Sequence, residues 1–485
     1  MVAFNRLTTT AFELQEMLSA GKITSGEAVG AYLEQQSIHN NWLRAVIATP
    51  PHDRLKERAK LLDDERREGK VRGPLHGIPV LVKDNLATPS IGVGTTGGCL
   101  ALVGVKPKQD AELIQRSPYV PGGFVEDGSV AGQSSCGGSS SGSAVGVAAG
   151  FAPIAIGTET NGSINMPSTR AALYAIKPTI DLVSNDGIIP CSSFLDSAGP
   201  MAKCAQDVAD LLDALVDKTK TTIPEGGYRT CLIGSFESLK IGTLDPEVWK
   251  FSVRVIKPDE GATKQMIKDI NDAYAKIESL AKRFVWKVPM ITAAQVEEED
   301  KDAPGLYTTL HALHKPDIKN YLQGLEESPV RTLKELVERN RQIPEELPEK
   351  YPSQDILEKD IDYKLDNITS EEAKKGFRAR ARRRIDNVLE DHDINVLIAP
   401  SDSPITNFVA AAGYPLATLP LNILDFNGRP FGLTAITKAH GEPELVKLQS
   451  AWEKVFTRKL PGSLDKVEEE WVTGKGIYDV KSGSL

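Results

Sequence analysis

Gly137-Gly138-Ser139-Ser140-Ser141-Gly142-Ser143 and, beyond a short apolar run, Thr158-Glu159-Thr160-Asn161-Gly162-Ser163 decide how this chain reads. Upstream, Val82-Lys83-Asp84-Asn85 ends another apolar run on a lysine. A serine hydroxyl is a weak nucleophile until a base takes its proton, and Gly-rich turns aim backbone N–H groups at a developing oxyanion. Two serine-rich turns and a candidate base point to acyl transfer.

Outward from these turns, residues 77–83 and 153–157 read as buried strands, because short unbroken apolar runs suit strands covered on both faces. Residues 174–178, 394–400 and 414–421 read the same way. Helices are predicted at 143–149 and at 204–216, the latter with Val208, Leu211, Leu212 and Leu215 inward, and a last one runs to Phe456. Near the amino terminus Thr24-Ser25-Gly26-Glu27 is a capping box opening a helix to about residue 36. Residues 43–49 alternate like a strand, and 53–69 form a charged surface helix. Interleaved elements of this kind predict an α/β fold with a mixed central β-sheet flanked by helices. The expected organisation is one domain over 1–485, with a core at about 70–216, a variable, charged helical portion at about 217–390 and a return to the sheet at about 391–457. Within the variable portion, 332–341 and 370–389 read as helices, and the tail after Pro461 is expected to be loosely attached.

Composition narrows the function classes. The chain has 485 residues, 40% hydrophobic and 25% charged, and a net charge of −9, which argues against nucleic acid or an anionic membrane as partner. Five cysteines without CxxC spacing argue against a disulfide framework or a zinc site. No signal peptide or membrane-length apolar run is visible, so a cytoplasmic protein is expected. His311 and His314 share a helical face but lack an acidic partner in metal spacing, so no metal and no cofactor are expected.

Two motifs compete for the function. Gly92-Val93-Gly94-Thr95-Thr96-Gly97 matches the dinucleotide fingerprint, but no strand precedes it and no helix opens inside it, so a structural loop is the better reading. Gly138-Ser139-Ser140-Ser141-Gly142 matches the nucleophile elbow, with His392 or His440 as partner, yet polar, Gly-rich residues stand where a buried strand belongs. An esterase using Ser140 is the enzymatic alternative.

The residues collected here resemble the amidase signature family. The match runs through 73–85, 137–150 and 157–179 and resumes at Asp196-Ser197-Ala198-Gly199-Pro200-Met201, with a looser match at 411–415 and 428–433. The resemblance implies hydrolysis of a small-molecule or peptide amide through a Ser–cisSer–Lys triad. In it Ser163 is the nucleophile, Ser139 the bridging serine on a cis peptide bond and Lys83 the base, while Thr160, Asn161, Gly162 and Ser163 form the oxyanion hole. A lysine at its ordinary pKa of about 10.4 is protonated at neutral pH, so burial has to favour the neutral amine.

The chain also departs from that pattern. Asn161 stands where Gly is frequent, Glu159 replaces Asp, and Asn165 stands where Arg is common, which removes a possible ion pair. After Arg116 the family continues with an apolar strand, whereas this chain runs into Ser117-Pro118-Tyr119-Val120-Pro121. A missing core strand is therefore expected, with reduced stability or lost activity, and a non-catalytic amidase-like protein is the second alternative.

Overall fold

The computed structural model describes residues 4–113, 136–252, 258–343, 353–364, 371–425, 427–462 and 464, together with the backbone of 120–125. Its strands are β1 (Pro79–Lys83), β2 (Val120–Val125), β3 (Ile154–Glu159), β4 (Tyr174–Lys177), β5 (Ser197–Ala202), β6 (Lys240–Thr243), β7 (Arg283–Val285), β8 (Val396–Pro400), β9 (Leu416–Ile423) and β10 (Pro430–Ile436). They form one sheet in the order β2-β1-β3-β5-β4-β9-β10-β8-β6-β7. Pairing is parallel at the two ends and antiparallel from β3 through β8, so the sheet is mixed, as expected. Every residue of β1, β3, β4, β5, β8 and β10 is buried. Strands covered on both faces need apolar or small residues at every position, which is why several read as continuous apolar runs.

The helices used below are α1 (Ala11–Ser19), α2 (Ser25–Leu43), α3 (His52–Arg67), α4 (Ser141–Ala148), α5 (Asn165–Arg170) and α6 (Ala205–Leu215). They continue with α7 (Glu260–Glu278), α8 (Ala293–Glu299), α9 (Leu306–Gly324), α10 (Leu333–Arg341), α11 (Asp355–Asp362) and α12 (Glu371–Asp391), then α13 (Ile405–Ala412) and α14 (Glu442–Val455). The capping box at Thr24 and Glu27 is present, and Val208, Leu211, Leu212 and Leu215 are buried on α6.

Three expectations are corrected. Residues 43–49 do not form a strand: α2 runs on to Leu43, and the Asn40 side chain then bonds both the N–H and the C=O of Val46 at 2.8 Å, folding the segment back as a turn. The variable portion is not purely helical, since β6 and β7 extend the sheet from within it. The strand expected to be missing after Arg116 is present as β2, parallel to β1 with Pro79 opposite Val120 and Lys83 opposite Val125, and an irregularity between Val80 and Val82. Its sequence, Val-Pro-Gly-Gly-Phe-Val, does not read as a strand because Pro and Gly weaken one everywhere except at an edge, which is where β2 lies. Arg116 itself and nearly all of the tail after Pro461 lie outside the described residues.

His311 and His314 on α9 do meet an acid: the two carboxylate oxygens of Asp360 on α11 lie 2.7 and 2.6 Å from their Nδ1 atoms. That partner lies too far along the chain for a spacing rule to find. Among the described residues no group of three or more His, Cys, Asp or Glu is arranged to hold a metal ion, and no helix is long and apolar enough to cross a membrane.

Candidate active site

The carboxyl-terminal ends of β1 and β3 bring the two serine turns and the lysine together. Lys83 is the last residue of β1; its side chain is 8% exposed, and its Nζ donates to Ser139 Oγ at 2.7 Å and to the Thr158 carbonyl at 3.3 Å. The Gly138–Ser139 peptide bond is cis, and Ser139 is open to solvent. The next residue ties the two turns to each other, because Ser140 N–H donates to the Ser163 carbonyl at 3.0 Å. Gly137 (φ +77°) lies against α5: a Cβ there would stand 3.0 Å from the Met166 carbonyl carbon and Pro167 nitrogen, so only glycine lets the turns approach this closely. Ser163 is half-buried.

The Thr160–Ser163 turn is fixed from several sides. Thr160 donates its hydroxyl to Asp196 Oδ1 at 2.5 Å, and Asn161 Nδ2 donates to Asn407 Oδ1 on α13 at 2.8 Å. Gly162 (φ +80°) supplies the left-handed residue of the turn. Glu159, fully buried, accepts the N–H groups of Ile164 and Asn165 at 2.8 and 2.9 Å on one carboxylate oxygen. A carboxylate is at home there, since the first N–H groups of a helix have no intrahelical partner. Asp196 also accepts from Cys191 and Ser192 N–H, and burial outweighs these bonds, pushing its carboxyl up to about 6.

The departures at Glu159, Asn161 and Asn165 each have a structural answer. Glu159 caps the turn's helix, and Asn161 reaches α13. Asn165 Oδ1 accepts from the Thr434 hydroxyl on β10 at 2.7 Å. An ion pair is still present one turn on, where Arg170 meets Asp402 at 2.9 Å. Behind Glu159 lies Lys177, fully enclosed; burial lowers its amine to about 8 despite the neighbouring carboxylates of Glu159 and Glu442.

We expect Glu159→Ala to cost about 1–3 kcal/mol of stability, the usual penalty of buried donors left without a partner. Its kcat should fall more than its KM rises, because the turn rather than the binding surface is disturbed. Glu159→Gln keeps an acceptor and should recover most of the loss; equal rates in wild type and Glu159→Ala would remove Glu159 from the account.

Ser140 does not fit a nucleophile elbow. Its hydroxyl donates to the Thr158 carbonyl at 3.0 Å and accepts the Thr158 N–H at 3.1 Å, fully buried. His440 lies on an exposed turn with φ +62°. The loop at 92–97 opens no helix; its end wraps Asp84, which accepts from the Thr96 hydroxyl at 2.6 Å and Gly98 N–H at 3.1 Å. Sequence reasoning missed Glu159 as a cap and overlooked Thr158, Asp196, Asn407 and Asp402. Asp196 lay inside a motif already quoted, whereas Asn407 carried no local signal.

The family model described as Amidase matches residues 27–117 and 129–446, and the break between them contains β2. A candidate amidase of Schizosaccharomyces pombe is 30% identical, covering 92% of this chain and 85% of the relative. A probable amidase of Arabidopsis thaliana is 26% identical over 94% of this chain and 92% of its own length. Among solved structures, the peptide amidase from Stenotrophomonas maltophilia superposes with a TM-score of 0.77 at 29% identity, covering 94% of this chain and 98% of that one.

Proposed function

This chain belongs to the amidase family and is a hydrolase of amide C–N bonds, and we propose that it acts through an acyl-enzyme on Ser163 with Ser139 as relay and Lys83 as base. The single observation that carries this reading is the 2.7 Å hydrogen bond from Lys83 Nζ to Ser139 Oγ, on the residue that follows the cis peptide bond. Lys83 is buried, and the role asks for its amine to be neutral when the substrate is attacked. As Ser163 Oγ bonds to the amide carbon, its proton passes to Ser139 Oγ while the Ser139 proton passes to Lys83 Nζ. N–H groups of the Thr160–Ser163 turn stabilise the oxyanion. Collapse breaks the C–N bond, and the leaving nitrogen takes a proton back through Ser139. Water then attacks the acyl ester by the same relay, releasing the acid and restoring Ser163.

Ser139 faces solvent and Ser163 is half-buried, so the relay is open to a substrate. The likeness to a peptide amidase makes a peptide amide one candidate, beside simple aliphatic and aromatic amides. The deciding experiment presents such amides to the purified protein and measures released ammonia, with a fluorophosphonate label mapped to its serine. Ammonia release and a label on Ser163 are expected. Folded protein with neither would favour a non-catalytic relative, and a label on Ser140 would favour the elbow.

A further inference from the structure

The turn's hydrogen bond to α13 leads directly to a cavity. Asn407, which holds Asn161, lies in the wall of a cavity of about 350 Å³ whose apolar lining includes Val296, Leu306, Phe377, Ala381, Phe408 and Ala411. Thr406, the preceding residue of α13, packs against Gly162: its hydroxyl lies 3.5 Å from where a Cβ on that glycine would stand. One short helix therefore presents Thr406 and Asn407 to the turn beside the nucleophile, and Phe408 and Ala411 to the cavity. Asn407 thus belongs both to the support of the turn and to the lining of the cavity.

The lining sets the chemistry of what fits. The charged groups deep in the wall are spent on each other, since Arg384 grips both oxygens of Asp300 at 2.9 Å. The other charges on the rim, Glu297 and Lys301, face solvent, and Tyr307 stands 60% exposed at the lip. A volume of about 350 Å³ lies at the lower end of small-molecule sites, which span roughly 300–1,000 Å³. Three larger surface cavities, of about 1180, 900 and 680 Å³, share no residue with the turn or with the side chains bonded to it.

We propose that this cavity receives the apolar group, aryl or medium-length alkyl, of the amide cleaved at Ser163, and that Ala381, Phe408 and Ala411 set its size limit. The inference rests on the reaction proposed above and adds a substrate class to it. Ala411 on α13 and Ala381 on α12 are 9% and 6% exposed, so a phenyl ring at either position occupies the cavity from a different helix.

The test compares wild type with Ala411→Phe and Ala381→Phe on acetamide and on phenylalkyl amides carrying the ring on the acyl or on the amine side. The ratio of kcat/KM for the aryl amide over acetamide should fall roughly ten- to two-hundred-fold in each variant, the range typical of hydrophobic pockets, and the more affected series identifies which side enters. A ratio unchanged within about twofold, in variants whose melting transition shows them folded, overturns the cavity assignment while leaving the reaction intact. Calorimetric binding of the same aryl amide to Ser163→Ala protein separates the two readings, because it needs no turnover. Binding that is lost when Ala411→Phe is added supports the cavity even if wild type releases no ammonia; binding that survives the ring overturns it.

Discussion

Ser163→Ala is expected to reduce kcat/KM for amide cleavage by roughly ten-thousand- to million-fold, the scale seen when the nucleophile of a coupled catalytic unit is removed. Its stability should stay within about 0.5 kcal/mol, since Ser163 is half-buried and the change deletes one hydroxyl. Lys83→Ala should fall nearly as far, and Ser139→Ala by roughly a hundred- to ten-thousand-fold, as for a lost proton-transfer group. The informative variant is Lys83→Arg. A guanidinium keeps the positive charge and several donors but does not give up its proton in a protein. If Lys83 serves as a base, Lys83→Arg is as inert as Lys83→Ala. If it serves only as a donor to Ser139 and the Thr158 carbonyl, Lys83→Arg retains measurable turnover. The wild-type rate should rise with pH as the amine loses its proton, and that limb should vanish in the residual activity of Lys83→Ala. More than about a tenth of wild-type turnover in Ser163→Ala would move the nucleophile elsewhere.

The parts of this site that the sequence made legible are those carried on continuous stretches. Lys83 ends an apolar run, and Ser139 and Ser163 lie in Gly-flanked turns, so residue type and local pattern marked all three. The supports were illegible for the opposite reason. Thr160 finds Asp196 across 36 residues and Asn161 finds Asn407 across 246, distances that no periodicity encodes. The same division holds for the sheet. β1, β3 and β8 were readable as apolar runs, but β5, Ser-Ala-Gly-Pro-Met-Ala, looks like a turn. Its glycine is required because a Cβ on Gly199 would stand 2.1 Å from the Ile176 carbonyl oxygen, so neighbouring backbone rather than strand propensity chose the residue. β2 failed to read as a strand because the edge of a sheet tolerates a Pro-Gly-Gly sequence that its centre does not. Residues 43–49 misled in the other direction, since alternation there is cancelled by the Asn40 side chain closing a turn.

Asp402→Ala should be among the most destabilising single changes, costing about 3–5 kcal/mol, the penalty of removing one member of a buried ion pair. Asp402 follows β8 and accepts Arg170 Nη2 on one oxygen and Arg429 Nη2 on the other, both at 2.9 Å, with all three side chains 14% exposed or less. It thereby joins the end of α5, the helix after Ser163, to the segment entering β10, and its loss removes the carboxylate that the two buried guanidiniums share. Burial by itself would raise its carboxyl, yet Arg429 and Arg170 together outweigh burial and hold it below the usual 3.8. A carboxyl depressed on folding stabilises the native state above its unfolded pKa and loses that contribution as pH falls through the folded one. The gap in denaturant midpoint between wild type and Asp402→Asn should therefore be constant near neutrality and narrow only below about pH 3.8, the unfolded reference. Because Arg170 closes the helix that Ser163 precedes, kcat should drop in both variants while KM moves less. A cost under about 1 kcal/mol, or a gap that persists unchanged into strong acid, would mean that water screens this triplet and that the turn is held by Glu159 and Asp196 without it.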